Sequence, residues 1–173
     1  MVLGRRTKNV EIDGQMICPK CTILQDVENF RLYPTTNNRY GFCKACKHQL
    51  ANDTVNASIE NFINRSVIVR RSDAKKRKIP FTIDTEYMIQ QYKNQQGLCF
   101  YTDIEMTWGY GKGRLITALS LDKIIPEKGY IPGNCVFCCD IVNMVKRDFT
   151  LEQLEMLNPA EWVSRARKFI SEK

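Results

Sequence analysis

The stretch Leu119–Asp148, LSLDKIIPEKGYIPGNCVFCCDIVNMVKRD, decides the fold. Leu115, Ile116, Leu119 and Leu121 make an apolar, partly β-branched run that ends at Asp122 and predicts a strand. Glu127 to Gly133 holds two glycines and a proline, which is loop chemistry. Asn134 to Cys139 is a compact apolar segment and reads as a second strand. Ile141, Val142, Met144 and Val145 then recur at helical spacing. Asn143 and Lys146 lie three apart, on a common helix face that looks back at Asp122. One carboxylate, two carboxamides and a lysine are therefore expected to converge across a strand–loop–strand–helix unit.

Ser120, Asp122, Lys123, Ile124, Lys128, Gly129, Tyr130, Gly133 and Asn134, with Asn143 and Lys146 following, form a pattern that resembles the HNH, or ββα-metal, nuclease family in its phage-type branch. More loosely, Gln96-Gly97-Leu98-Cys99-Phe100-Tyr101-Thr102 resembles the lead-in of that family. The resemblance implies a metal-dependent endonuclease that hydrolyses DNA phosphodiesters, in a phage or mobile-element setting. It makes Asp122 a metal ligand and Asn143 the second, from the helix. It has Asn134 pin the loop and Lys146 sit near a phosphate. Few, hard oxygen ligands suit Mg²⁺ (or Mn²⁺) rather than zinc, and such an ion polarises the scissile phosphate.

The chain departs from that pattern at Lys123, which stands where the best-known members carry a histidine base. An ordinary lysine has a pKa of about 10.4, so only about one in 2,000 is neutral at pH 7. Lys123 is thus better suited to clamping a phosphate while a metal-bound water attacks. His48, the one histidine, is far away in sequence. The missing histidine keeps a second class open: a catalytically inactive HNH-like zinc protein that binds DNA or RNA as a regulator or assembly component.

Composition agrees with a nucleic-acid partner. The 173 residues carry a net charge of +7, and sequence pI is near 9.0. Residues 1–50 carry eight Lys/Arg against four Asp/Glu, residues 51–98 eight against five, and residues 99–173 ten against ten. The positive field belongs to the first half. The expected organisation is α+β: a zinc ribbon over 1–50, a basic helical linker over 51–98, and the HNH-like ββα module with C-terminal helices over 99–173. Double-stranded DNA is the expected partner, with RNA an option. No apolar run reaches the roughly 18 residues of a membrane span, and the first residues lack an apolar leader core. An intracellular, cytoplasmic protein is expected.

Cys18-Pro-Lys-Cys21 and Cys43-Lys-Ala-Cys46 are two C-x-x-C knuckles, the spacing of a tetrahedral zinc site. Phe30, Tyr33, Tyr40 and Phe42 would supply a miniature core. Lys20, Arg39, Lys44 and Lys47 lie close by, so the ribbon is either a DNA-contacting element or a metal staple. It is similar to the zinc segment often found ahead of HNH modules.

From Lys47 to Lys78 the pattern predicts one or two helices, with Ile59, Phe62, Ile63 and Val67 as the apolar stripe. Arg65, Arg70, Arg71, Lys75, Lys76, Arg77 and Lys78 are seven cations in fourteen residues, opposed only by Asp73. They are read as phosphate contacts that carry little sequence information. Ile79-Pro80 should break the helix. Asp84 should cap the next one, and Gly97 should close it. Trp108-Gly-Tyr-Gly-Lys-Gly-Arg114 reads as a flexible turn that could alternatively stack on nucleic acid. Cys99, Cys135, Cys138 and Cys139 read as buried thiols rather than a second zinc site. Thr150 with Gln153, and Asn158 with Glu161, look like capping boxes for two C-terminal helices that cover the ββα unit.

Overall fold

The computed structural model describes residues 11–33, 38–39, 41–111, 113, 115–147, 149 and 151–157. The architecture is α+β, in two compact units, Met1–Ala57 and Ser58–Lys173. The stretch set apart in sequence as 51–98 is therefore shared. Its first residues belong with the ribbon, and its two basic and polar helices belong with the ββα unit.

In the first unit, β1 (Glu11–Ile12), β2 (Gln15–Ile17) and β3 (Leu24–Asp26) form an antiparallel meander. Asp13 and Gly14, both at positive φ, make the two-residue turn between β1 and β2. Strands β4 (Leu32–Tyr33) and β5 (Asn38–Arg39) pair next, and helix α1 (Lys44–Val55) follows. The buried core is Met16, Cys18, Phe30 and Cys43, with Val27, Cys21 and Cys46 packed against it. Of the aromatics expected there, Phe30 is fully buried, Tyr33 is half-buried and Phe42 is exposed. Tyr40 lies outside the described residues.

In the second unit, α2 (Ile59–Arg77) starts at Ser58, whose side chain accepts the Asn61 N–H. It ends at Lys78, held in the left-handed region. Helix α3 (Thr85–Asn94) is capped by Asp84, which accepts the Tyr87 N–H at 2.8 Å. Strands β6 (Leu119–Lys123) and β7 (Cys135–Cys139) pair antiparallel, with Asp122 opposite Val136 and Ser120 opposite Cys138. Helix α4 (Asp140–Lys146) follows β7 without a break, and α5 (Leu151–Leu157) comes after it. The caps assigned to Thr150 and Asn158, and everything beyond Leu157, lie outside the described residues.

All ten residues of the hairpin strands are buried because both faces are covered: α2 and α4 meet β6, and α3 and α4 meet β7. The first strand begins later than the apolar run suggested. Leu115 to Thr117 form a turn, and Ile116 is 67% exposed. The outer edge of β7 is closed by a side chain. The Gln95 amide accepts from Phe137 N–H at 2.9 Å and donates to Phe137 O at 2.8 Å, standing in for a third strand.

The long connection between β6 and β7 is fixed by close backbone approach. Gly129 has φ +76°, and a Cβ there would lie 2.5 Å from the Pro80 carbonyl oxygen. Tyr130 N–H donates to that same oxygen at 2.8 Å. Lys128-Gly129-Tyr130 thus docks the loop on the segment between α2 and α3.

Candidate active site

Ser120 and Asp122 point to one side of β6, two residues apart, and α4 runs along that side. Asn143 Nδ2 donates to Ser120 Oγ at 2.7 Å. One helical turn on, Lys146 Nζ lies 3.3 Å from Asp122 Oδ2 and 3.5 Å from Oδ1, and donates to Lys123 O at 2.7 Å. From the other side Tyr101 OH donates to Asp122 Oδ2 at 2.7 Å. Asp122 is 4% exposed and Lys146 2%.

The structure therefore brings Asp122 and Lys146 into direct contact. It sets Asn143 over Ser120, one pleat or about 6.6 Å along the strand from Asp122. Lys146 lies on the helix face that looks back at Asp122, and its ammonium meets the carboxylate there. Lys123 differs from its sequence reading. It is 8% exposed, donates to Pro126 O at 3.2 Å, and sits 5.5 Å over the Tyr130 ring. Neither ammonium faces solvent, because the apolar stems of both are packed in the unit and a backbone carbonyl receives each head.

Asn134 locks the loop that carries the site. Its side chain accepts the Ile125 N–H at 2.9 Å and donates to the carbonyls of Ile125 (2.9 Å) and Gly129 (2.8 Å). Only a carboxamide offers an acceptor and two donors in this fork.

Tyr101 is the site residue that sequence reasoning left without a role. Burial, and then the hydrogen bond to Asp122, push its phenol far above the ordinary tyrosine value. It stays protonated at neutral pH, a fixed donor rather than a base. Its signal was present in the lead-in that ends at Thr102.

The donor types at the site fit a hard divalent ion: the Asp122 carboxylate and, nearby, the Asn143 carboxamide oxygen. The Lys146 ammonium already neutralises Asp122. An added divalent ion would have to displace it, or bring a compensating anion.

The four cysteines of the first unit do meet. Their sulfurs all lie within 4.8 Å of one another, and they are the one such cluster among the described residues. A zinc tetrahedron with bonds near 2.3 Å has edges of about 3.8 Å, so the cluster fits that ion. Cys18 and Cys21 flank the turn between β2 and β3, where Thr22 N–H donates to Cys18 O at 2.8 Å. Cys43 caps α1, and Cys46 is in its first turn.

Amides point at the sulfurs: Cys43 N–H at Cys18 Sγ (3.3 Å) and Gln25 Nε2 at Cys21 Sγ (3.5 Å). Burial opposes the Cys18 thiolate, but the backbone N–H groups of Cys21, Cys43 and Lys20 outweigh it and bring that thiol down to about 6. Cys99, Cys135, Cys138 and Cys139 are buried free thiols.

The cations of α2 and its cap are mostly surface groups. Arg65, Arg71, Lys75, Lys76, Arg77 and Lys78 are exposed, and Arg70 is half-buried. Arg71 stacks 5.3 Å over Phe81 and reaches Ile83 O at 3.5 Å, so it also holds the α2–α3 connection. Lys75, Lys76 and Arg77 fall in the last turn of α2, where the helix dipole favours positive charge. No helix among the described residues is long and apolar enough to cross a membrane.

Neither the protein-family models nor the curated proteins yield a match to this chain. Among solved structures, the rare-cutting HNH restriction endonuclease PacI is similar with a TM-score of 0.39 at 19% identity, over 86% of this chain and 96% of that one. A likeness that distant assigns nothing by itself, and the functional reading stands on the ββα geometry and its residues.

Proposed function

We propose that the chain is a metal-dependent endonuclease of the HNH type that hydrolyses DNA phosphodiesters. The observation that carries this reading is the buried Asp122 carboxylate on a ββα unit, gripped by Lys146 and Tyr101 behind a loop locked by Asn134. A buried ion pair contributes little net stability compared with apolar packing. A buried charged pair near the end of a strand, with a helix carboxamide one pleat away over Ser120, is better explained by chemistry than by folding.

In this reading Asp122 and Asn143 would hold Mg²⁺ or Mn²⁺, which would supply polarisation of the phosphate and stabilisation of the leaving oxygen. Tyr101 keeps Asp122 oriented throughout. As a phosphate arrives, Lys146 exchanges its carboxylate partner for a phosphate oxygen, which frees Asp122 and keeps the local charge near balance. Lys123, folded onto Pro126, acts on the loop rather than as base. The exposed cations of α2 bind backbone phosphates without reading sequence, and the four-cysteine cluster holds structural zinc. A phage or mobile-element setting rests on the sequence resemblance alone.

The Lys146–Asp122 contact also favours a second reading, a DNA- or RNA-binding protein in which the ammonium permanently takes the ion's place. Plasmid nicking with Mg²⁺ or Mn²⁺ separates the two. The nuclease reading expects metal-dependent nicking, lost in both Asp122→Ala and Asn143→Ala. Tight binding with no nicking under either metal leaves the binder.

A further inference from the structure

We propose that a cleft beside the candidate active site receives one unstacked nucleobase. The cleft holds a cavity of about 360 Å³ lined from α2, β6, the start of α4 and the glycine-rich turn after Trp108. Leu119 and Ser120 belong to its strand side, Tyr110 gives it ring surface over the buried Phe62, and Arg70 and Asp140 give it charge. The Phe62 and Tyr110 rings are 5.3 Å apart and tilted by 39°. Tyr110 is 40% exposed.

The chemistry selects the occupant. A cavity of this size suits a small planar ligand. A nucleobase presents π faces, which aromatic rings stack regardless of base identity. Its edge presents both donors and acceptors, which Asp140 and the Arg70 guanidinium can answer. A bare phosphate would have no use for the rings and Leu119. A purely apolar ligand would leave Arg70 and Asp140 desolvated without partners.

Position adds to this. Ser120 lines the cleft and also receives the Asn143 amide, and Asp122 is the next residue on that side of β6. A phosphate at Asp122 and a base in the cleft would therefore belong to the same or adjacent nucleotides. In a duplex that base must leave the stack to reach the cleft. The placement of the phosphate rests on the nuclease reading; the cleft's ligand does not.

The test uses the full chain and a single-stranded oligodeoxynucleotide bearing one 5-iodouracil, with no added Mg²⁺. Ultraviolet light couples this base to an aromatic ring on which it stacks, and mass spectrometry locates the bond. The cross-link is expected on Tyr110. Tyr110→Ala should abolish the Tyr110 adduct and weaken binding roughly tenfold with the melting temperature kept. Cross-links elsewhere only, unchanged affinity of Tyr110→Ala, or no binding at all would overturn the proposal. Nicking is measured on the same preparation. A chain that gives the adduct without nicking sinks the nuclease reading alone, and a chain that nicks without the adduct sinks the cleft alone.

Discussion

Lys146 Nζ rests 3.3 Å from Asp122 Oδ2, and both side chains are almost wholly buried. Removing the ammonium leaves a buried carboxylate without a counter-charge, which costs about 3–5 kcal/mol. Lys146→Met should therefore be markedly less stable than the native chain. Mn²⁺ should restore much of that loss by taking the vacated place, whereas the native chain's melting temperature should hardly respond to the ion. Thermal unfolding of both, with and without Mn²⁺, checks this. A metal response equal in the two chains would show that Lys146 does not compete for the carboxylate.

Asn134 answers three backbone groups at once. Asn134→Ala strands the Gly129 carbonyl and the Ile125 N–H in a partly buried loop, while the Ile125 carbonyl keeps the Lys128 N–H, and should destabilise the second unit by about 3 kcal/mol. Asn134→Asp keeps the acceptor for Ile125 N–H but sets a carboxylate against the carbonyls of Ile125 and Gly129, and should fare no better. Chemical denaturation gives the values. A loss below about 1 kcal/mol in both would remove Asn134 from its role in holding the loop.

Among the described residues the first unit's buried core is Met16, Phe30, Cys18 and Cys43, and in the proposed reading a metal supplies much of that unit's stability. The purified chain should carry one zinc ion on its single cluster of four thiols. A strong chelator should erase amide-exchange protection over β1–β3 and α1 while α2 and β6 keep theirs. Protection that survives complete metal removal would contradict a structural zinc.

Burial raises the Cys135 thiol to about 12, and Cys139 to about 11. The folded pKa values exceed the unfolded ones, so the folded state holds these protons longer. Their contribution is complete below the ordinary thiol value and is lost as pH rises through about 9 to 12. The second unit's melting temperature should be level near neutrality and fall steadily across that alkaline window. Cys135→Ala should flatten the fall. An alkaline slope indifferent to this substitution would place its origin elsewhere.

Much of the ββα unit was legible because its signals are local: an apolar run ending in Asp122, a Gly/Pro loop, and helical spacing over 141–146. The four-cysteine cluster was legible because its two C-x-x-C knuckles are themselves local patterns. Helical spacing also turned Lys146 toward Asp122, but the seat of its ammonium on the Lys123 carbonyl was not legible, because it depends on the backbone of the strand opposite. Ile116 misled for the converse reason. β-branched residues suit strands, but here the chain turns between Leu115 and Ala118 before pairing begins. Gln95 gave no sign of closing the β7 edge, because that role depends on a residue 42 positions away. Gly109, Gly111 and Gly113, which make the turn signal after Trp108, all have positive φ. Yet that turn also delivers Tyr110 onto Phe62, a tertiary contact outside any local pattern.

The most direct measurement is anomalous scattering from Mn²⁺ in crystals of the chain with a duplex whose phosphodiesters resist hydrolysis. The account predicts a peak within coordination distance of Asp122 and the Asn143 carboxamide oxygen, with Lys146 turned to a phosphate oxygen. A bound duplex with no peak there, and Lys146 still seated on Asp122, would contradict it.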